Sequence, residues 1–159
     1  MTKQKKANIK PEKIQLLAIK VFKVHFEASE EFRSKYQEVK SYTTEAAMDS
    51  AFNFEEKQCR IKLHIKLTAV DELENPKGLE AEYGIEFHYK IENLESFLIH
   101  EKQNRVQIEG TLGNTLASMS YSTARGIILE RLQGTYFNGV ILPVINPGQL
   151  TESESENVK

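Results

Sequence analysis

CRIKLHIKLTAV (Cys59–Val70) and EAEYGIEFHYKIEN (Glu80–Asn93) alternate apolar and polar side chains with a period of two. Ile61, Leu63, Ile65, Leu67 and Ala69 fall on one face of the first run. Ala81, Tyr83, Ile85, Phe87, Tyr89 and Ile91 fall on one face of the second. Such alternation marks a strand buried on one side. The intervening DELENPKG carries Asn-Pro and Gly turn chemistry. Folding the pair about Asn75 sets Ile61 against Tyr89, Leu63 against Phe87 and Ile65 against Ile85. A slip of one residue would exchange the two faces, so the pattern demands an antiparallel hairpin with one face in the core.

Working towards the N-terminus, Leu16, Ala18, Phe22, Val24 and Phe26 share one parity, with Lys23, His25 and Glu27 on the other. Ile19 and Val21 break this alternation, which predicts a strand covered on both sides for part of its length. A weaker run groups Met48, Ser50, Phe52 and Phe54. Between the two, Ser29 to Thr44 is charged and tyrosine-containing and reads as a long connection.

Working towards the C-terminus, the period changes. Leu94, Phe97 and Leu98 suggest a short helical turn. A longer helix is expected from about Thr111 to Leu132, with Leu112, Leu116, Met119, Thr123 and Ile127 along a stripe. Its middle is rich in small residues, among them Ala117, Ser118, Ser120, Ser122, Ala124 and Gly126. These cost helix propensity, so the helix is expected to pack closely, on its own sheet or partly on a second subunit. The following QGTYFNGVILPVINPGQL has three glycines, two prolines and no charge. Neither a helix nor a central strand survives that content. A loop this apolar must dock on the sheet or offer its side chains to a ligand.

The 159 residues fit one domain, with 40% hydrophobic and 28% charged residues and a net charge of −2. That balance argues against a dedicated nucleic-acid binder. Residues 1–13 form a basic arm (Lys3, Lys5, Lys6, Lys10, Lys13) without the interleaved aromatics that stack on bases. No run reaches the ~18 apolar residues of a membrane helix, and MTKQKKANIK is not read as a secretory signal. One cysteine, Cys59, fits a reducing compartment, so a cytoplasmic location is expected. Residues 14–150 are expected to form the domain and 151–159 an acidic disordered tail.

No constellation for catalysis is legible. There is no glycine-rich phosphate loop, and Ser122 lacks the glycine frame of a nucleophile elbow. His64 and His88 share the hairpin's polar face, but two neighbours without a third ligand make a poor metal site. Neither catalytic nor metal-binding residues are predicted, and no cofactor is implied.

The segment LGNTLASMSYSTARGIILERLQGTYFNGVILPVINPGQL resembles the C-terminal half of SecB-type export chaperones. The resemblance rests on Leu112–Gly113, Tyr121, Ala124–Arg125, Arg131, Gly134–Thr135, Tyr136–Phe137 and the Leu142–Pro143–Val144 segment with Asn146. Phe26–Glu27–Ala28 adds to it. It implies an α+β fold, a four-stranded antiparallel sheet backed by a long helix and a Gly/Pro-rich crossover, assembled as a dimer of dimers. It also implies a holdase for unfolded or presecretory polypeptides that uses no nucleotide. Partners would be such clients, and either the SecA motor or a single dedicated partner such as an antitoxin. The remaining alternative is a small-molecule-binding protein that uses the cleft between sheet and crossover.

An adaptable, charge-free apolar surface suits such clients, because apolar burial is non-directional. Tyr136, Phe137, Val140, Ile141, Leu142 and Val144 are the candidate client-binding residues, with Phe52 and Phe54 as an opposite wall. Leu116, Met119, Ser120, Thr123 and Ile127 are the candidate oligomer interface. Two departures from the family stand out. Only TESESENVK follows Leu150, so the family's final helix is expected to be absent or a mere turn. The sheet's polar face mixes Arg60, Lys62, Lys66 and Lys90 with Glu82, Glu86 and Glu92, where the family tends to be acidic.

Overall fold

A computed structural model of the chain describes residues 7–35, 39–100 and 106–156; the first six residues of the basic arm and the last three of the tail lie outside them. After a short turn at Pro11–Lys13 come β1 (Ile14–Ala28), α1 (Glu30–Ser34), β2 (Ser41–Asn53), β3 (Gln58–Val70) and β4 (Pro76–Ile91). A turn at Leu94–Phe97 leads to a small hairpin, β5 (Leu98–His100) and β6 (Val106–Ile108). Then come α2 (Gly110–Arg131) and α3 (Pro147–Glu156). The main sheet is antiparallel throughout, in the order β1-β4-β3-β2.

The β3–β4 hairpin has the predicted faces, but its register differs by two residues. Ile61 lies opposite Phe87, Leu63 opposite Ile85 and Ile65 opposite Tyr83. A shift of two keeps every side chain on its face, so alternation alone cannot detect it. The turn decides it. Asp71 Oδ1 accepts from the amides of Leu73 (2.8 Å) and Asn75 (2.9 Å), and the irregularity between Thr68 and Val70 absorbs the remaining offset.

Strand β1 carries two bulges, between Leu16 and Ala18 and between Val21 and Lys23. Each bulge resets the alternation. Ile14, Leu16, Ile19, Val21, Val24 and Phe26 thus face the same side as Ile91, Tyr89, Phe87, Ile85, Tyr83 and Ala81. The mixed parity of β1 therefore comes from the bulges, not from cover on both faces. At the second bulge Phe22 turns to the polar face and lies over Gly84, where a Cβ would come within 2.6 Å of its ring. The ring meets His64 edge-on at 5.6 Å, with the Lys62 ammonium 5.7 Å from its centroid.

Strand β2 begins at Ser41, inside the stretch expected as a connection. Tyr42, Thr44, Ala46, Met48, Ser50 and Phe52 point inward in strict alternation. Threonine and alanine carry too little apolar contrast at these inward positions to advertise it. The preceding α1 is capped by Ser29, whose Oγ accepts from Phe32 N at 3.1 Å, and it buries only Phe32.

Helix α2 covers the apolar face with Leu112, Leu116, Ala117, Ser120, Tyr121, Ala124 and Ile128. The small residues let the backbone approach the sheet. The Tyr89 hydroxyl and Ser120 Oγ, 2.9 Å apart, supply the polar link across the interface. Leu116 and Ser120, candidates for an oligomer interface, are thus fully buried within the chain. Met119, Thr123 and Ile127 lie on an outer, partly exposed stripe.

The final helix expected to be missing is present, and it corrects the disordered-tail expectation for residues 151–156. Asn146 Oδ1 accepts from Gly148 N at 3.0 Å and Pro147 occupies the first helical position, a favourable helix start. Leu150 is buried, and the Thr151 hydroxyl donates to Asn114 Oδ1 at 3.3 Å. Among the described residues no helix is long and apolar enough to cross a membrane.

Candidate functional site

The crossover after α2 is a docked strap. The Thr135 hydroxyl donates to Leu132 O (2.7 Å) and accepts from Phe137 N (3.1 Å), closing the helix end. Gly134 and Gly139 adopt φ of 77° and 82°, values that side-chain-bearing residues rarely take. Between them Tyr136 packs edge-on against Phe32 at 5.4 Å, and Phe137 against Phe26 at 6.0 Å.

From Val140 to Asn146 the chain has no regular secondary structure, and three successive carbonyls are gripped by side chains. Tyr42 Oη donates to Ile141 O (2.6 Å), Arg125 Nε to Leu142 O (2.9 Å) and Tyr121 Oη to Pro143 O (2.8 Å). Glycine- and proline-rich backbone has no ladder to satisfy its acceptors, so these donors replace one. Burial pushes the Tyr121 phenol above its usual pKa, an effect partly offset by the Arg125 charge.

The grip sorts the candidate client-binding residues. Phe137 and Leu142 face inward, at 0% and 2% exposure. Val140 is half-buried, Tyr136 is partly exposed, and Ile141 and Val144 point out at 56% and 82%. Phe52 and Phe54 stack with centroids 6.3 Å apart at 13°. They lie at the other end of β2, ten residues or roughly 33 Å from Tyr42, so they do not face the crossover. Phe52 instead lines a separate groove of about 280 Å³ with Met48, Ile61, Val106 and Ile108.

Sequence reasoning overlooked Tyr42, hidden in the supposed connection, and the β6 residues Val106 and Ile108. Tyr121 and Arg125 had signalled a family resemblance; their contact with the crossover required the tertiary structure.

On the sheet's other face, charges pair in rows. Lys23 pairs with Glu82, Lys62 Nζ lies 3.8 Å from Glu86 Oε1, and Lys66 Nζ lies 3.5 Å from Glu80 Oε2. Lys23 and, to a smaller degree, Lys66 hold the Glu82 carboxyl below its usual range. His25 Nε2 sits 3.3 Å from Glu27 Oε2 and 3.7 Å from Glu80 Oε1. This trio could ligate a metal on distance alone. His25 and Glu27 are exposed and Glu80 has the Lys66 ammonium beside it, so the trio belongs to the ion-pair row. The register places His64 opposite Gly84 and Arg60 opposite His88, with His88 Nε2 3.1 Å from Glu86 Oε2.

Four antiparallel strands, a long helix across one face and a strap returning to the β2 edge make an α+β fold of the SecB type. Among solved structures, a SecB-like chaperone of Mycobacterium tuberculosis, in complex with a ChAD peptide from the HigA1 antitoxin, matches with a TM-score of 0.56. The identity is 9%, over 85% of this chain and 92% of that one. A protein of unknown function from Streptococcus agalactiae matches at a TM-score of 0.41 and 15% identity, over 82% and 97% of the two chains. No family model and no curated protein matches the sequence.

Proposed function

We propose that this protein is a chaperone that binds unfolded or presecretory polypeptides and holds them from aggregation without a covalent step. The carrying observation is the crossover. Its backbone acceptors are satisfied by Tyr42, Arg125 and Tyr121, and its outward side chains, Ile141 and Val144, are apolar and exposed. Apolar groups displayed on a braced, uncharged segment offer non-directional burial to many clients. The SecB-like fold supports the reading, as does the antitoxin peptide held by the mycobacterial protein. The place of action under this reading is the cytoplasm.

Assembly as a dimer of dimers belongs to the same proposal. Edge strand β1 leaves Leu16, Leu17, Ile19, Phe22 and Val24 between 39% and 54% exposed. An apolar edge of this length invites pairing with another copy. Met119, Thr123 and Ile127 on the outer stripe of α2 offer a second contact. Several weak client sites on one assembly would then act with avidity.

The test is suppression of light scattering by an aggregating client at molar excess of the full chain. Suppression lost on replacing Ile141 and Val144 with serine supports the proposal; no suppression by the native chain overturns it.

A second reading, a chaperone dedicated to one partner such as an antitoxin, is favoured by the paired charges of the sheet face. Lysines neutralise Glu80, Glu82 and Glu86, which leaves little acidic surface for handing clients to a basic site on SecA. Recovery of one stoichiometric partner in a pull-down supports this reading, and a broad set of clients supports general holding.

A further inference from the structure

The crossover contains the chain's single Asn-Gly pair: of nine asparagines, only Asn138 is followed by glycine. Asn53, Asn93 and Asn114 precede Phe54, Leu94 and Thr115, while Asn75 and Asn146 precede prolines, which have no amide hydrogen. Asparagine is chemically labile where the next backbone nitrogen can reach its side-chain carbonyl carbon. Glycine obstructs that approach least, because it has no Cβ.

The fold leaves this pair open. Phe137 O accepts from Val140 N at 3.0 Å across a turn with Asn138 and Gly139 at its centre. Gly139 has a φ of 82° and Asn138 a negative one, the pattern of a type II turn. Both residues are exposed, and a Cβ at Gly139 would meet nothing within 4 Å. Asn138 N donates to Thr135 O at 3.1 Å. Among the described residues, however, neither the Asn138 side-chain amide nor the Gly139 N–H makes a hydrogen bond. The side chains of Asn53, Asn75, Asn93, Asn114 and Asn146 are all held by hydrogen bonds.

We propose that Asn138 is a site of spontaneous covalent modification that places a negative charge in the crossover. The Gly139 nitrogen gives up its proton and attacks Asn138 Cγ. A bond forms between Cγ and that nitrogen, the Cγ–Nδ2 bond breaks, and Nδ2 leaves as ammonia with the proton. Water then opens the cyclic imide at either carbonyl, so the residue becomes aspartate or isoaspartate.

Either product puts a charge into residues 133–150, which carry none. The new carboxylate must stay hydrated, which opposes burial of client side chains on Ile141, three residues away. In isoaspartate the main chain also runs through Cβ and Cγ, one carbon longer, inside the turn closed by Phe137 O and Val140 N. The Tyr42 grip on Ile141 O lies immediately beyond. The effect on client holding rests on the polypeptide-binding reading; the modification itself does not.

For the experiment the full chain is aged in mildly alkaline buffer and sampled for peptide mass mapping. Electron-transfer fragmentation separates aspartate from isoaspartate. The peptide spanning Asn138 should be the first to exchange an amide nitrogen for oxygen, faster at higher pH, with both products present. Suppression of client light scattering should fall in step. Asn138→Asp should be impaired when fresh, and Asn138→Ser should age without loss. An unmodified Asn138 in the folded chain, under conditions that modify it in urea, would overturn the proposal. So would another asparagine reacting first, or an aged and modified chain that suppresses as well as a fresh one. A fresh native chain that suppresses nothing defeats the holding reading, and the mass map still decides the modification by itself.

Discussion

Tyr89 Oη and Ser120 Oγ meet at 2.9 Å in the interface between β4 and α2, with both residues at 1% exposure or less. The pair ties the sheet to the helix across a buried interface. Ser120→Ala would strand the phenol and should cost about 1–3 kcal/mol. Tyr89→Phe should cost less, because a helical serine can turn its hydroxyl back to the carbonyl four residues earlier. The double variant should be less destabilised than the sum of the singles. Urea unfolding of all four proteins checks this; strict additivity would show that the two hydroxyls are not coupled.

Tyr83, Tyr89 and Tyr121 all have phenols pushed above the ordinary value of 10.0 by burial. For Tyr89 the Ser120 hydrogen bond opposes the rise in part. A raised folded-state pKa means that the neutral form is favoured on folding. The stabilisation is complete below about pH 10 and is lost as pH climbs through the folded values. Unfolding midpoints should therefore fall steeply on the alkaline side, and Tyr89→Phe should make that fall shallower. A midpoint unchanged up to about pH 12 would contradict the burial argument.

Phe137 and Ile141 sit four residues apart and should behave oppositely. Phe137→Ala removes a fully buried ring that packs on Phe26 and should cost about 3–5 kcal/mol. Ile141→Ser, on an exposed site, should change stability by no more than about 0.5 kcal/mol while weakening client holding. Thermal melts beside aggregation assays separate the two effects.

Arg125→Ala removes the donor to Leu142 O and Tyr121→Phe the donor to Pro143 O. Each should cost about 1 kcal/mol. The strap should loosen before the sheet does, because its backbone has no other ladder. Limited proteolysis should then cut within residues 140–146 faster than in the native chain, with the circular dichroism of the sheet unchanged.

Ile19→Lys and Val24→Lys place charges on the exposed apolar edge of β1. Both should lower the native mass of the assembly and leave each protomer folded, as charged edge strands resist pairing. A native mass equal to one chain before any substitution would remove the oligomer from the proposal.

Much of the fold follows from local pattern alone. Alternation from Ile61 to Ala69 and from Ala81 to Ile91 determines two strands and their buried face, because a strand's side chains can only point two ways. The change of period at Thr111 determines the helix, and Gly134, Gly139 and Pro143 forbid its continuation. Asn146–Pro147 also announced α3, but the glycine and acidic residues that follow masked the signal. What the tertiary structure decided are quantities with no local signature. The hairpin register depended on Asp71 and the turn, since a two-residue slip leaves every face intact. The bulges of β1 depended on pairing with β4, and β2 on burial beneath α3. The client-binding candidates divided because Phe52 and Tyr42 stand ten residues apart on one straight strand. Side-chain type specifies what a residue prefers to touch; only the packed chain specifies which partner comes within reach, as the contacts of Tyr42, Tyr121 and Arg125 with the crossover carbonyls illustrate.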